Sequence, residues 1–152
     1  MLIRAAAPHE AESLTDLAMR SKAHWGYSDD FMESCRAELT VNSQEIAGSE
    51  YLFYVAENEG ALLGYYSLGA RDGLKIELEA LFVEPEFIGS GVGKALIQHA
   101  LNSARSKGAK QLLIQGDPNA AEFYKAAGGA VTGERESESI PGRFLPTFQI
   151  EL

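Results

Sequence analysis

Two hydrophobic periodicities alternate along this chain. Apolar residues at every second position predict strands, and apolar residues spaced i, i+3, i+4 and i+7 predict amphipathic helices. The strands are expected at residues 2–6, 51–57, 61–70, 74–83, 110–115, 130–137 and 147–152. The helices are expected at residues 8–24, 29–39, 92–107 and 118–127, with a short capped turn or helix at residues 42–48.

The resulting order is β-α-α-β-β-β-α-β-α-β-β. Tight turns between residues 51 and 83 predict an antiparallel meander, whereas the helix before residues 110–115 predicts one parallel pair joined by a right-handed crossover. We therefore expect an α+β fold with a mixed, mostly antiparallel sheet of six or seven strands flanked by four helices. Residues 1–152 form a single predicted domain.

Strict alternation along residues 74–83 places Glu77 and Glu79 on one face with Leu81 and Val83, which lead into the next segment. Both carboxylates are therefore expected on the same face as the residues that lead into the glycine turn. A solvated strand face explains two glutamates equally well.

Directly after this strand come three alternating glycines, Gly89, Gly91 and Gly93, and then a helix. Glycines let the backbone approach a ligand closely, and the first N–H groups of a helix have no partner within it. A strand, a glycine-rich turn and a helix N-terminus together predict a cradle for a phosphate or pyrophosphate.

The composition narrows the functional classes. No apolar run approaches the roughly 18 residues of a membrane span, no signal-peptide core is present, and Cys35 is the only cysteine, so we expect a cytoplasmic protein that binds neither a membrane nor a metal. A net charge of −9 argues against nucleic-acid binding. The same charge suits a cationic amine substrate, or it serves solubility alone.

Two common phosphate motifs do not fit the glycine turn. A P-loop needs a glycine five residues before Gly93 and a hydroxyl residue after Lys94, and these positions hold Ile88 and Ala95. A Rossmann fingerprint needs the spacing GxGxxG early in a βαβ unit, whereas here GxGxG follows a meander.

A third motif fits. The segment LFVEPEFIGSGVGKALI (81–97) resembles the acetyl-CoA-binding motif of the GNAT superfamily of N-acetyltransferases, and DPNAAEFYKAAGG (117–129) resembles the second motif of that family. The segments SKAHWGYS (21–28) and SESIPGRFLP (137–146) are similar to small bacterial members. Two positions depart from the pattern, because Ile88 replaces a usual Gln or Arg and Asp117 replaces a common Asn.

The resemblance implies an acetyl-CoA-dependent transfer of an acetyl group to a primary amine by direct attack in a ternary complex. Tyr124 would be the general acid and Glu79 or Glu77 the general base. The residues implied to bind the cofactor are Leu81, Phe82, Val83, Ile88, Gly89, Ser90, Gly91, Val92, Gly93, Lys94 and Asn119. The cofactor pyrophosphate would rest on backbone N–H groups from Ile88 to Lys94, since Ile88 cannot donate from its side chain.

The acceptor, a small molecule or a protein amine, is expected to contact Trp25, Tyr27, Arg143 and Phe144. The alternative is that Trp25, Tyr27 and Phe31 only pack the helices onto the core and that Arg143 pairs with a surface glutamate. Two other readings stay open: a non-catalytic acyl-CoA-binding or regulatory module, and a structural subunit that uses Trp25 and Tyr27 as a partner surface. A homodimer is a further expectation.

Overall fold

The computed structural model describes all residues from Met1 to Leu152. Its strands are β1 (Leu2–Ala5), β2 (Leu52–Asn58), β3 (Ala61–Leu68), β4 (Lys75–Val83), β5 (Gln111–Gln115), β6 (Ala130–Glu136) and β7 (Phe144–Glu151). Its helices are α1 (Ala11–Ala23), α2 (Asp29–Leu39), α3 (Ser43–Ala47), α4 (Val92–Ser106) and α5 (Ala121–Ala126). The predicted α+β class and element order are confirmed, and the capped turn is a short helix.

The strands form one seven-stranded sheet in the order β1-β2-β3-β4-β5-β7-β6. Only β4 and β5 run parallel, since α4 connects them, and every other neighbouring pair is antiparallel. The predicted meander and crossover are therefore both present. The last strand begins at Phe144 rather than at residue 147, because Pro146 accepts the amide of Gly116 and continues the ladder.

Two hydrophobic layers cover the sheet. On one face, α4 packs Leu96, Ile97 and Ala100 against β3 and β4, and α5 adds Tyr124. On the other face, α1 and α2 bury a smaller cluster that includes Leu14 and Leu17. The helix boundaries follow local chemistry: the Ser28 hydroxyl accepts the Phe31 amide at the start of α2, as its position predicts.

The predicted assignment of the β4 side chains to the two faces of the sheet is wrong, because the strand contains a β-bulge. Ser67 of β3 pairs with Ala80 and the next residue, Leu68, pairs with Leu78, so Glu79 is left without a partner. An extra residue reverses the alternation beyond it. Leu78 and Val83 consequently lie on the α4 face although strict alternation separates them, while Ala80 and Phe82 contact the α1–α2 cluster.

Candidate active site

The two parallel strands separate part of the way along. The β4–β5 ladder runs from the Lys75–Gln111 pair to the Leu78–Ile114 pair and stops there. From Glu79 to Val83, β4 is hydrogen-bonded only on its β3 side. The Glu84 amide donates to Leu63 of β3, and strand residues alternate in direction, so the backbone groups of Val83 and Leu81 face the opening. Those of Phe82 face β3.

Glu79 stands where the opening begins. Glu79 as a whole residue is exposed to solvent, but its carboxyl lies against the Gly69 backbone, since the Cβ of an alanine at position 69 would come within 2.7 Å of its Oε1 atom. Burial, then the neighbouring carboxylates of Glu77 and Glu138, raise the pKa of Glu79 to about 7 despite the opposing charge of Arg135. The Glu45 charge acts in the same direction as the other carboxylates.

The other candidate base, Glu77, is already paired. The Arg135 guanidinium of β6 donates to its Oε1 atom and also to Gln115 Oε1 at 3.1 Å. This ion pair joins β6 to the part of β4 that is still paired with β5. Glu77 therefore contributes mainly negative charge beside Glu79, and Glu79 is the better-placed free carboxyl.

The glycine turn presents a row of unpaired amides. Gly89 and Gly91 have φ values of 85° and 96°, which only glycine adopts readily. The amides of Ile88 and Ser90 are hydrogen-bonded to Pro85 and Phe87 within the turn. The remaining N–H groups have no acceptor in the chain, and they are those of Gly89, Gly91, Val92, Gly93 and Lys94.

This turn therefore fits a pyrophosphate without help from a side chain at position 88. Ile88 is 38% exposed, and its amide is not among the free donors, nor is that of Ser90. The expected row of amides is thus narrower than the segment from Ile88 to Lys94.

Tyr124 lies next to the end of β5. Its ring packs against Phe148 and Phe123, with centroid distances of 5.7 and 5.2 Å, and beneath Gly116. The hydroxyl makes no hydrogen bond within the chain. Since no buried polar side-chain atom lacks a partner, this oxygen reaches accessible space. Burial of the ring, and then the Asp117 charge, raise the pKa of Tyr124, so the phenol stays protonated at neutral pH.

A polar cluster joins four segments beside the opening. Asp117 accepts the Tyr27 hydroxyl at 2.8 Å and Lys22 at 3.4 Å, and Arg143 donates to the Tyr27 hydroxyl at 2.9 Å. Asn119 donates to Asp117 at 2.9 Å and to Tyr27 at 3.1 Å. Burial acts to raise the pKa of Asp117, but the Asn119 amide, the Tyr27 hydroxyl and Lys22 outweigh it and lower that pKa.

The structure thus brings together three residues predicted separately, Tyr27, Arg143 and Asn119. It does not bring in Trp25, which is 44% exposed and contacts His24, or Phe144, which is 55% exposed at the start of β7. Sequence reasoning missed Lys22, because a lysine in the last turn of a helix is also the ordinary companion of a helix C-terminus.

Known proteins resemble this chain along most of its length. The profile of the family described as "Acetyltransferase (GNAT) domain" matches residues 16–141. A 5-NmdU N-acetyltransferase of Pseudomonas phage PaMx11 is 28% identical over 152 residues, which cover 98% of each chain. The peptidyl-lysine N-acetyltransferase YjaB of Salmonella typhimurium is 28% identical over 149 residues, which cover 97% of this chain and 95% of that one.

The fold has solved counterparts. The crystal structure of PaiA N-acetyltransferase from Thermoplasma acidophilum in complex with coenzyme A superposes with a TM-score of 0.82 at 22% identity, covering 99% of this chain and 98% of that one. The chain belongs to the GNAT family of acetyltransferases and is an acetyl-CoA-dependent N-acetyltransferase, as its two motifs predict. None of its helices is both long and apolar enough to cross a membrane, and no group of acidic, His or Cys side chains is arranged to hold a metal.

Proposed function

We propose that the enzyme transfers the acetyl group directly to a primary amine in the opening between β4 and β5, with Glu79 as general base. The observation that carries this proposal is the bulge at Glu79. It places a carboxyl whose pKa is about 7 at the point where the two strands part. A base works best when its pKa lies near the working pH, because it is then both ionised and basic enough to accept a proton.

The cofactor is proposed to lie across the free amides of the glycine turn and along β4. Unpaired N–H groups at the start of α4 favour the pyrophosphate, and Lys94 adds positive charge nearby. The pantetheine would pair with the exposed edge of β4 like an added strand, which the outward backbone groups of Leu81 and Val83 support. Phe82 would contribute packing rather than hydrogen bonds.

The bound thioester supplies the acetyl group, and the chain supplies the proton transfers. An amide at Leu81 or Val83 would stabilise negative charge that develops on the carbonyl oxygen. Glu79, through a water, would take the proton from the attacking amine, and Tyr124 would give a proton to the departing thiolate. Burial makes the Tyr124 phenol a weak acid, but it equally disfavours the thiolate anion that it neutralises.

Asn119 is proposed to contact the cofactor arm only through its carbonyl oxygen. Its amide nitrogen is committed to Tyr27 and Asp117. Tyr27 and Arg143 form the proposed acceptor wall, with Trp25 and Phe144 at its outer rim. The acceptor is proposed to be a small-molecule or protein amine, and one relative named above is a peptidyl-lysine N-acetyltransferase.

The test is consumption of acetyl-CoA with a broad panel of amines, in which at least one small amine or lysine peptide should be acetylated and identified by mass spectrometry. A heat-inactivated sample controls for spontaneous transfer. If the protein binds acetyl-CoA tightly but acetylates nothing in the panel, the non-catalytic module is the better reading and the proposed mechanism is lost.

A second prediction concerns the position of the Glu79 carboxyl. Gly69→Ala should lower kcat/KM for the amine by roughly 10- to 100-fold, because the new methyl group would displace the Oε1 atom that lies 2.7 Å from it. The backbone at Gly69 has no positive φ, so the fold should tolerate alanine. Steady-state kinetics and urea unfolding measure the two effects.

The control for that variant is a double substitution. In a Glu79→Gln background, Gly69→Ala should add little further loss, since both changes act through one side chain. An undiminished effect of Gly69→Ala in that background would show that the methyl group disturbs something other than Glu79.

A further inference from the structure

A polar cluster beside the opening has an excess of positive charge. Two cations, Lys22 and Arg143, face a single carboxylate, Asp117. The rings of Tyr27 and Phe31 pack beside the two cations. We propose that Lys22 and Arg143 form a carboxylate-binding subsite, so that the acceptor is an amine bearing a carboxylate a few bonds away, as in an amino acid. This inference rests on the proposed function and names the substrate class of the same site.

The charges of this cluster do not balance. Asp117 faces both Lys22 and Arg143, and the three side chains are only 17%, 13% and 20% exposed. Arg143 uses Nη2 alone, at 2.9 Å from the Tyr27 hydroxyl and 3.6 Å from Asp117, so its Nε and Nη1 groups have no partner. Lys22 makes a single bond of 3.4 Å. Half-buried cations with free donors favour an added anion.

Two aromatic rings hold these cations in place. The Arg143 guanidinium carbon lies 4.9 Å from the Phe31 ring centroid, and Lys22 Nζ lies 5.5 Å from that of Tyr27. Tyr27 and Phe31 are themselves stacked, with centroids 4.4 Å apart. Cation–π contacts and stacking fix the positions of the side chains before a ligand arrives, and a planar guanidinium suits a carboxylate.

The two charged ends of the site border one opening. Leu78 and Ile114 are the last pair of the parallel ladder, Glu79 lies one residue beyond Leu78, and Asp117 lies three residues beyond Ile114. Three residues reach at most about 11 Å when fully extended, so Asp117 and the Arg143 side chain beside it stay near this end of the opening. An ammonium near Glu79 and a carboxylate near Arg143 can then belong to one short molecule.

The end of the site near Glu79 is negatively charged, whereas the end near Lys22 and Arg143 is positively charged. Glu138 and Glu77 add negative charge around Glu79. The connection between β6 and β7 contributes Glu138 to this negative end and Arg143 to the positive end. Ile140 anchors that connection on the α1–α2 cluster. The proposed site therefore has carboxylates at one end and two cations at the other, which matches an amine and a carboxylate in one molecule.

The test pairs substrates with variants. Phenylalanine and phenethylamine, and 4-aminobutyrate and propylamine, differ by the carboxylate alone. The wild-type enzyme should favour the carboxylate-bearing member of at least one pair by roughly 10- to 100-fold in kcat/KM, the range expected for a hydrogen bond to a charged group. Arg143→Gln and Lys22→Gln should each remove much of that preference, because each should lower kcat/KM more for the carboxylate-bearing amine than for its carboxylate-free partner, without raising the KM for acetyl-CoA.

Arg36→Gln is the matched control, because Arg36 is an exposed α2 cation paired with Glu33 away from the cluster. Equal losses for both members of a pair would mean that Arg143 only supports the fold, and a raised KM for acetyl-CoA would mean that it binds the cofactor; either result overturns the proposal. So does a preference for the carboxylate-free amines. Failure of the wild-type enzyme to acetylate any amine would instead count against the proposed function.

Discussion

Replacing Glu79 by Gln should lower kcat/KM for the amine by about 10²- to 10⁴-fold, the usual contribution of a positioned general base. Gln keeps the size and polarity of the side chain but cannot accept the proton. The glycine turn is untouched, so the dissociation constant of acetyl-CoA should stay close to that of the wild type. Steady-state kinetics together with calorimetric titration of acetyl-CoA separate the two quantities.

The pH profile gives an independent measurement of the same residue. In the wild type, kcat/KM should rise with pH through about 7 as Glu79 ionises. In Glu79→Gln this limb should vanish, leaving only the ionisation of the amine itself. Glu77→Gln is the neighbouring control, and it should lower the Glu79 midpoint by removing a like charge while retaining most activity. A Glu79→Gln enzyme with an unchanged limb would exclude Glu79 as the base.

The raised pKa of Glu79 should also make the stability of the protein depend on pH. Because the folded-state pKa of Glu79 is raised above its ordinary value, the folded protein binds more protons than the unfolded chain between about pH 4.5 and 7. The Glu79 contribution to stability therefore falls as pH rises through that window. Glu79→Gln should have a higher free energy of unfolding than the wild type at pH 8, and the difference should disappear near pH 4.

Local signals in the sequence predicted most of the fold. Helix α2 begins and ends where Ser28 and the apolar spacing place it, and the meander follows from short turns between apolar segments. Such features depend on residues close together in the chain. The glycine turn was predictable for the same reason, since its chemistry lies in consecutive residues from Gly89 to Lys94.

The bulge at Glu79 could not be predicted in this way. Its position depends on the register between Ser67–Leu68 of β3 and Leu78–Ala80 of β4, and no single residue of β4 marks it. The wrong assignment of the β4 side chains follows from the bulge, because one extra residue moves every later side chain to the opposite face of the sheet. The bulge also sets Glu79 apart from Glu77, which the alternating pattern treats as equivalent.

Long-range pairs account for the rest of what the sequence could not show. Arg135 pairs with Glu77 from a strand 58 positions away, and Lys22 reaches Asp117 across 95 positions. The partners of such charged residues depend on which segments are neighbours in the fold, so they cannot be predicted before the sheet order is known. Tyr27 and Arg143 were predicted as acceptor contacts, but their shared link through Asp117 was not.

Tyr124→Phe should lower kcat by about 10²- to 10⁴-fold while leaving acetyl-CoA affinity and stability close to wild type. The hydroxyl has no hydrogen-bond partner in the chain, so its removal leaves no buried group unpaired. Phe keeps the ring contacts with Phe148 and Phe123. Single-turnover kinetics, cofactor titration and urea unfolding test the three parts. Tyr65→Phe, which removes the hydroxyl of another buried tyrosine on β3, is the matched control.

The leaving group distinguishes an acid from a merely structural hydroxyl. A cysteine thiol has a pKa of about 8.5, and the thiolate of an alkyl thiol, which is at least as basic, gains from protonation as it departs. An acetyl thioester of a much more acidic aromatic thiol needs no such proton, so Tyr124→Phe should lose far less activity with that donor. If the loss is equally large with both donors, Tyr124 does not protonate the leaving thiolate, and its hydroxyl serves instead to position the thioester, since it reaches the space beside the end of β5.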